Sequence, residues 1–166
     1  MAGAFPVSAS GVLSGSTGGQ VMPRWPKRKS RADVDEYGRT PLWYGALHGD
    51  VGVVRTILSD EADPNHADDA GTTPLHAAIQ EGQTAVVRLL LAAGADPNIV
   101  DQYGNGPLLT IVAGPATDQQ VMLITMLLEA GADPDRRNRA GISPREVAIE
   151  IAHGLEVPFA RLSENR

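Results

Sequence analysis

The chain has 166 residues, 42% of them apolar, which is enough to bury the core of one domain. Its longest apolar run, residues 89–93, is far short of the roughly 18 residues of a transmembrane helix, so a soluble protein without a membrane span is expected. The absence of cysteine excludes disulfides, Cys-ligated zinc and thiol nucleophiles, and leaves the cytoplasm as the default location.

The net charge of −6 is unevenly spread: residues 1–32 carry +5, residues 33–135 carry −13 and residues 136–166 carry +2. An acidic body disfavours nucleic acid and steers a basic protein partner toward it, although the same charge also serves ordinary solubility. Arginine outnumbers lysine 12 to 2, a codon bias consistent with a GC-rich bacterial genome.

Residues 1–32 are rich in Gly, Ser, Ala, Pro and basic side chains without helical or strand period, and are expected to form a disordered tail. They lack the basic start and continuous apolar stretch of a secretory signal. Trp25-Pro26-Lys27-Arg28-Lys29-Ser30-Arg31 has the composition of a nuclear-import or nucleic-acid-touching tail, but so short a run is more often simply solvated.

The ordered domain is expected over residues 33–166. Unit one (35–67) opens with Asp35-Glu36-Tyr37-Gly38-Arg39-Thr40-Pro41-Leu42, a turn into a helix in which Thr40 caps and Pro41 takes the first helical position. Gly49 stops that helix, and Val51, Val53, Val54, Ile57 and Leu58 mark the apolar face of a second. Unit two (68–100) repeats the plan with Gly71-Thr72-Thr73-Pro74-Leu75-His76-Ala77-Ala78, then Val86, Val87 and Leu89-Leu90-Leu91. Pro41, Pro74, Pro107 and Pro144 are separated by 33, 33 and 37 residues, and Ala-Asp-Pro recurs at Ala62, Ala95 and Ala132. A period in this range signals stacked helical units.

Gly94 and Gly131 suit a left-handed residue closing the second helix; unit one has Glu61 there, at a cost of about 1 kcal/mol if the geometry is kept. Unit three (101–137) lacks the Thr and His of the turn motif and gains four residues near Gly114, expected to enlarge the loop between its helices. Unit four (138–162) has Arg145 and Glu146 in place of Leu and His, and Val157, Phe159 and Leu162 mark a short second helix, so a polar cap is expected.

The motif Asp-x-x-Gly-x-Thr-Pro-Leu-His-x-Ala-Ala followed by Leu-Leu-Leu-x-x-Gly-Ala-Asp-x-Asn resembles the ankyrin repeat, most completely in unit two. The resemblance implies an all-α solenoid of about four stacked helix-turn-helix units, and a non-enzymatic module that binds proteins on a concave surface of hairpin tips and first helices. It extends to compact single-domain bacterial ankyrin proteins, some of which act as immunity proteins or regulators paired with a toxin. An adaptor or effector whose basic tail directs localisation while the repeats hold a client is the alternative.

That surface takes turn positions two, three and five: Glu36, Tyr37 and Arg39; Asp69, Ala70 and Thr72; Gln102, Tyr103 and Asn105; Arg139, Ala140 and Ile142. Tyr37 and Tyr103 share one slot, either as aromatic anchors or because tyrosine suits the turn. Trp43, Tyr44 and Leu47 make the first helix of unit one apolar on its inner side, toward a partner or toward the N-terminal segment. Asp68, Asp69, Glu81 and Asp101 form an acidic ridge suited to a basic partner, and Arg136, Arg137 and Arg139 either meet an acidic edge or balance Asp133 and Asp135. His66, Asp68, Asp69 and His76 have metal-ligand types but also turn roles, so no metal is assigned. Hydrolase, phosphate-loop and metalloprotease signatures are absent; no cofactor, small-molecule substrate or catalytic residue is expected, and the chain alone is expected to be monomeric.

Overall fold

The structure, a computed structural model, describes residues 34–114 and 117–151. The tail expected over residues 1–32 and the last helix expected around Val157, Phe159 and Leu162 lie outside the described residues, as do Pro115 and Ala116.

Thr-Pro and Gly signals punctuate the chain into helical pairs. In unit one, α1 (Pro41–His48) starts where Thr40 accepts the Trp43 N–H at 3.2 Å, and ends at Gly49, whose φ of 72° is left-handed. Asp50 then caps α2 (Val51–Ser59). Unit two supplies α3 (Pro74–Gln80) and α4 (Thr84–Ala92), unit three α5 (Pro107–Val112) and α6 (Asp118–Glu129), and unit four begins with α7 (Pro144–Ile151). Among the described residues there is no strand.

The apolar faces meet within and between units. Leu42 and Val54, then Leu75, Ile79, Val86, Val87 and Leu90, then Val112, Leu123, Ile124 and Leu127 are 0–1% exposed and form one continuous core. First helices stack in a row, α1 on α3, α3 on α5 and α5 on α7, more extensively than α2 on α4 and α4 on α6. Small residues allow the close approach: a Cβ at Gly45 would lie 3.1 Å from Val54 Cγ2, so the α1 backbone packs directly on the valine side chains of α2.

The inserted residues of unit three do not simply enlarge a loop. α6 has 12 residues against 9 in α2 and α4, so three of the four extra residues are taken up by a helix that starts a turn early. The cause is a reciprocal cap, with Thr117 Oγ1 accepting the Gln120 N–H at 3.2 Å and Gln120 Oε1 accepting the Thr117 N–H at 3.4 Å. Buried Gln120 also donates its amide to the Ile111 and Gly114 carbonyls. It thereby closes α5, which has no side-chain cap at Gly106.

The unit endings explain the repeated Ala-Asp-Pro. Asp63 and Asp96 each accept the backbone N–H two residues on, at 2.8 Å, which forms a tight turn. The following asparagine reaches the next unit: Asn65 bonds the Gly94 carbonyl at 3.2 Å and the Asp96 N–H at 2.7 Å, and Asn98 bonds the Gly131 carbonyl and Asp133 N–H, each at 2.8 Å. Glu61 keeps the left-handed geometry of Gly94 and Gly131, with φ 60°. Glu61→Gly is expected to stabilise the domain by about 0.5–1 kcal/mol by removing the Cβ clash. An upward shift of the urea midpoint checks this; an unchanged or lower midpoint refutes it.

Candidate functional site

Each hairpin tip is tied by its first residue. Asp35 accepts the N–H groups of Tyr37 and Arg39 at 2.9 Å, Asp68 those of Ala70 and Thr72 at 3.0 and 2.8 Å, Asp101 those of Tyr103 and Asn105 at 2.8 Å, and Asn138 those of Ala140 and Ile142 at 2.9 and 3.0 Å. Neighbouring tips then join through their backbones: Asp69 N donates to Tyr37 O at 2.9 Å, Gln102 N to Ala70 O at 2.8 Å and Arg139 N to Tyr103 O at 3.0 Å. The side chains at positions two and three are thereby held in a row, in which Glu36, Tyr37, Asp69, Gln102, Tyr103, Arg139 and Ala140 are exposed.

The aromatic residues of unit one behave differently. Trp43 is buried, and its indole N–H donates to Thr72 Oγ1 at 3.2 Å across the first two units. Arg39 lies 4.4 Å over the Trp43 ring and 5.1 Å over Tyr37, with Nε 3.4 Å from Asp68. Tyr44 is half-buried and donates its hydroxyl to Asp35 at 2.6 Å, which holds that carboxyl below its ordinary value; Leu47 packs partly buried against the core. Trp43 therefore joins units one and two rather than presenting a free ring, and only Tyr37 and Tyr103, at 54% and 63% exposure, offer open aromatic surface on the tips.

The ankyrin-repeat family model matches residues 37–69 and 70–102, the spans whose stacked pairs and joined tips have just been described. Residues 37–102 are ankyrin repeats. No curated protein matches it. Ankyrin repeats are protein–protein interaction modules, generally without enzymatic activity. The same tip geometry continues through the third and fourth ankyrin units.

The ankyrin surface is less acidic than the residue list predicts. Asp68 is buried and accepts from Thr72 Oγ1 at 2.7 Å as well as from Arg39, so it belongs to the scaffold and leaves the ridge. Asp101 is half-buried over its own turn, accepting also from the Asn105 amide at 3.4 Å. Of the ridge, Asp69 and Glu81 stay exposed, with Glu36 on the first tip. Thr72 and Asn105 are half-buried and bound between units, Asn105 Oδ1 accepting from Asn138 at 2.8 Å. The arginines do not balance Asp133 and Asp135 as a group: Arg145 pairs with Asp135 at 2.6 Å, Arg137 with Glu146, and Arg136 donates to the Asn98 carbonyl at 2.8 Å. Glu146 closes a reciprocal cap with Ser143, taking the place that His76 fills in unit two.

The histidines are drawn into separate ankyrin contacts, His66 Nε2 to the Gly38 carbonyl at 3.0 Å and His76 into the second turn. Among the described residues, no three His, Asp or Glu side chains converge as a metal site. No helix among them is long and apolar enough to cross a membrane.

His76 Nδ1 accepts the Thr73 N–H at 3.2 Å, so the ring proton sits on Nε2 and donates to the Asn105 carbonyl at 3.2 Å. Burial pushes this imidazole below its ordinary value of 6.5, opposed by the Asn105 carbonyl, Asp101 and Asp68. The unfolded chain therefore takes up this proton first as pH falls, and stability declines from about pH 6.5 downward. His76→Leu, which copies Leu109 of unit three, is expected to flatten that slope. Urea midpoints of both chains across pH 7.5 to 5 test this; parallel slopes refute it.

Proposed function

We propose that the chain binds a partner protein along its hairpin tips and first helices, and that the partner's contacting surface is basic. The observation that carries this reading is the exposed row in which Tyr37 and Tyr103 flank Asp69, with Glu36 and Glu81 beside them. Tyrosines on joined turns are anchored at their backbones and lose little conformational freedom on binding, and the acids raise the association rate of a cationic surface. Within this reading, a bacterial immunity or regulatory protein that masks a basic toxin fits the −13 charge of residues 33–135.

The test is capture of partners from the source lysate by wild type and by the Tyr37→Ala, Asp69→Lys, Tyr103→Ala variant. These side chains are exposed, so the variant is expected to fold, as far-UV circular dichroism would show. Loss of about 30-fold or more in affinity is expected, as for removal of two aromatic anchors. Equal retention of every partner refutes the surface. A specific partner whose face against Glu36, Asp69 and Glu81 is acidic, or one whose affinity is insensitive to salt, refutes the toxin-masking form.

A further inference from the structure

We propose that the groove between the third and fourth hairpin tips receives a carboxylate from an acidic segment of the partner protein. This inference rests on the protein-binding reading and adds a second, oppositely charged contact to it.

The groove is open, about 490 Å³, and lined by Gln102, Tyr103, Asn138, Arg139 and Ala140. The Arg139 N–H bond to the Tyr103 carbonyl fixes its two walls. Tyr37 and Tyr103 occupy the same turn position, yet Arg39 covers the face of Tyr37, whereas unit three has Asn105 there, turned inward to Asp101 and Asn138. Among the described residues no cation lies over the Tyr103 ring. Among the described residues, the Arg139 guanidinium, the Tyr103 hydroxyl and the Gln102 amide make no side-chain hydrogen bond or ion pair. Arg137 and Arg145, by contrast, are neutralised by Glu146 and Asp135.

Arg139, Tyr103 and Gln102 bring to this groove a planar guanidinium, an aromatic ring and two further donors, a set that suits a single carboxylate, which takes two parallel N–H bonds from arginine. A phosphate carries nearly twice the charge and is met by several arginines together. Here, of the arginines, Arg139 alone lines the groove, with no ion pair among the described residues.

The test is titration of the ¹⁵N-labelled full chain with N-acetyl-Gly-Leu-Glu-Gly-amide, its Gln counterpart and its Lys counterpart. With the Glu peptide, shifts confined to residues 102, 103 and 138–140 and to the Arg139 side chain are expected. Binding should weaken about tenfold or more with the Gln peptide or in Arg139→Gln. Equal binding of the Glu and Gln peptides, equal binding by Arg139→Gln, shifts elsewhere, or no response at millimolar peptide would each overturn the proposal. Stronger competition by inorganic phosphate than by acetate would overturn its carboxylate form. The Lys peptide reports separately on Asp69 and Glu81: if it fails while the Glu peptide binds the groove, the preference for a basic partner falls and the groove stands, and the converse result separates them the other way.

Discussion

Leu90→Ala is expected to destabilise the domain by about 2–5 kcal/mol. Leu90 is 0% exposed in the last turn of α4, within the core that α4 shares with α2, α3 and α6. Its side chain belongs to the one core that runs through neighbouring units, so truncation opens a cavity that the surrounding helices resist closing. Urea denaturation followed by circular dichroism measures the loss. A change below about 1 kcal/mol would mean that the stack readily collapses around the site. Because Leu90 is buried and the tips are not, binding should fall only in proportion to the unfolded fraction.

The second large effect is expected at Asp68. Its carboxylate collects the Ala70 and Thr72 N–H groups, the Thr72 hydroxyl and Arg39 Nε, and Thr72 in turn receives the Trp43 indole. Asp68→Ala removes the acceptor of all four bonds and leaves part-buried donors unpaired, at a cost of about 3 kcal/mol. Asp68→Asn retains one oxygen for the backbone but sets an amide N–H against Arg39, so an intermediate loss is expected. Trp43 fluorescence reports the local change and urea melts the global one. If both substitutions are as stable as wild type, the network is not what joins the first two units. A buried acid of this kind also warns against reading partner preference from charge counts, since the residue that most resembles part of an acidic ridge is a structural acceptor.

The period of the prolines and the Ala-Asp-Pro endings made the helical pairs, their order and the left-handed Glu61 legible in the residues alone. The site was legible only in outline. Turn positions two and three are set by local geometry, and Glu36, Tyr37, Asp69, Gln102, Tyr103 and Arg139 are exposed as that geometry requires. Trp43, Thr72 and Asn105 could not be placed this way, because their contacts lie about 29–33 residues away in the adjoining unit. Position in a motif says where a side chain starts, whereas the neighbouring copy decides whether it is already engaged. Gln120 was missed for the same reason. Its Thr117-x-x-Gln120 cap signature stands in the chain, but its bond to the α5 carbonyls depends on how far α6 extends back over that helix.

The asparagine bridges carry a consequence for how many units such a chain can hold. Asn65 and Asn98 each offer an N–H and an oxygen to the following Gly-Ala-Asp ending, and unit two both receives such a bridge and sends one on. A tandem duplicate of residues 68–100 would therefore meet complementary partners at both of its seams. At the corresponding place in unit three stands Asp135, whose carboxylate is engaged by Arg145 and has no hydrogen to donate to a further carbonyl. The array is thus extensible from its middle and closed to the same joint after its third member, a grammar of growth written in the difference between an amide and an acid.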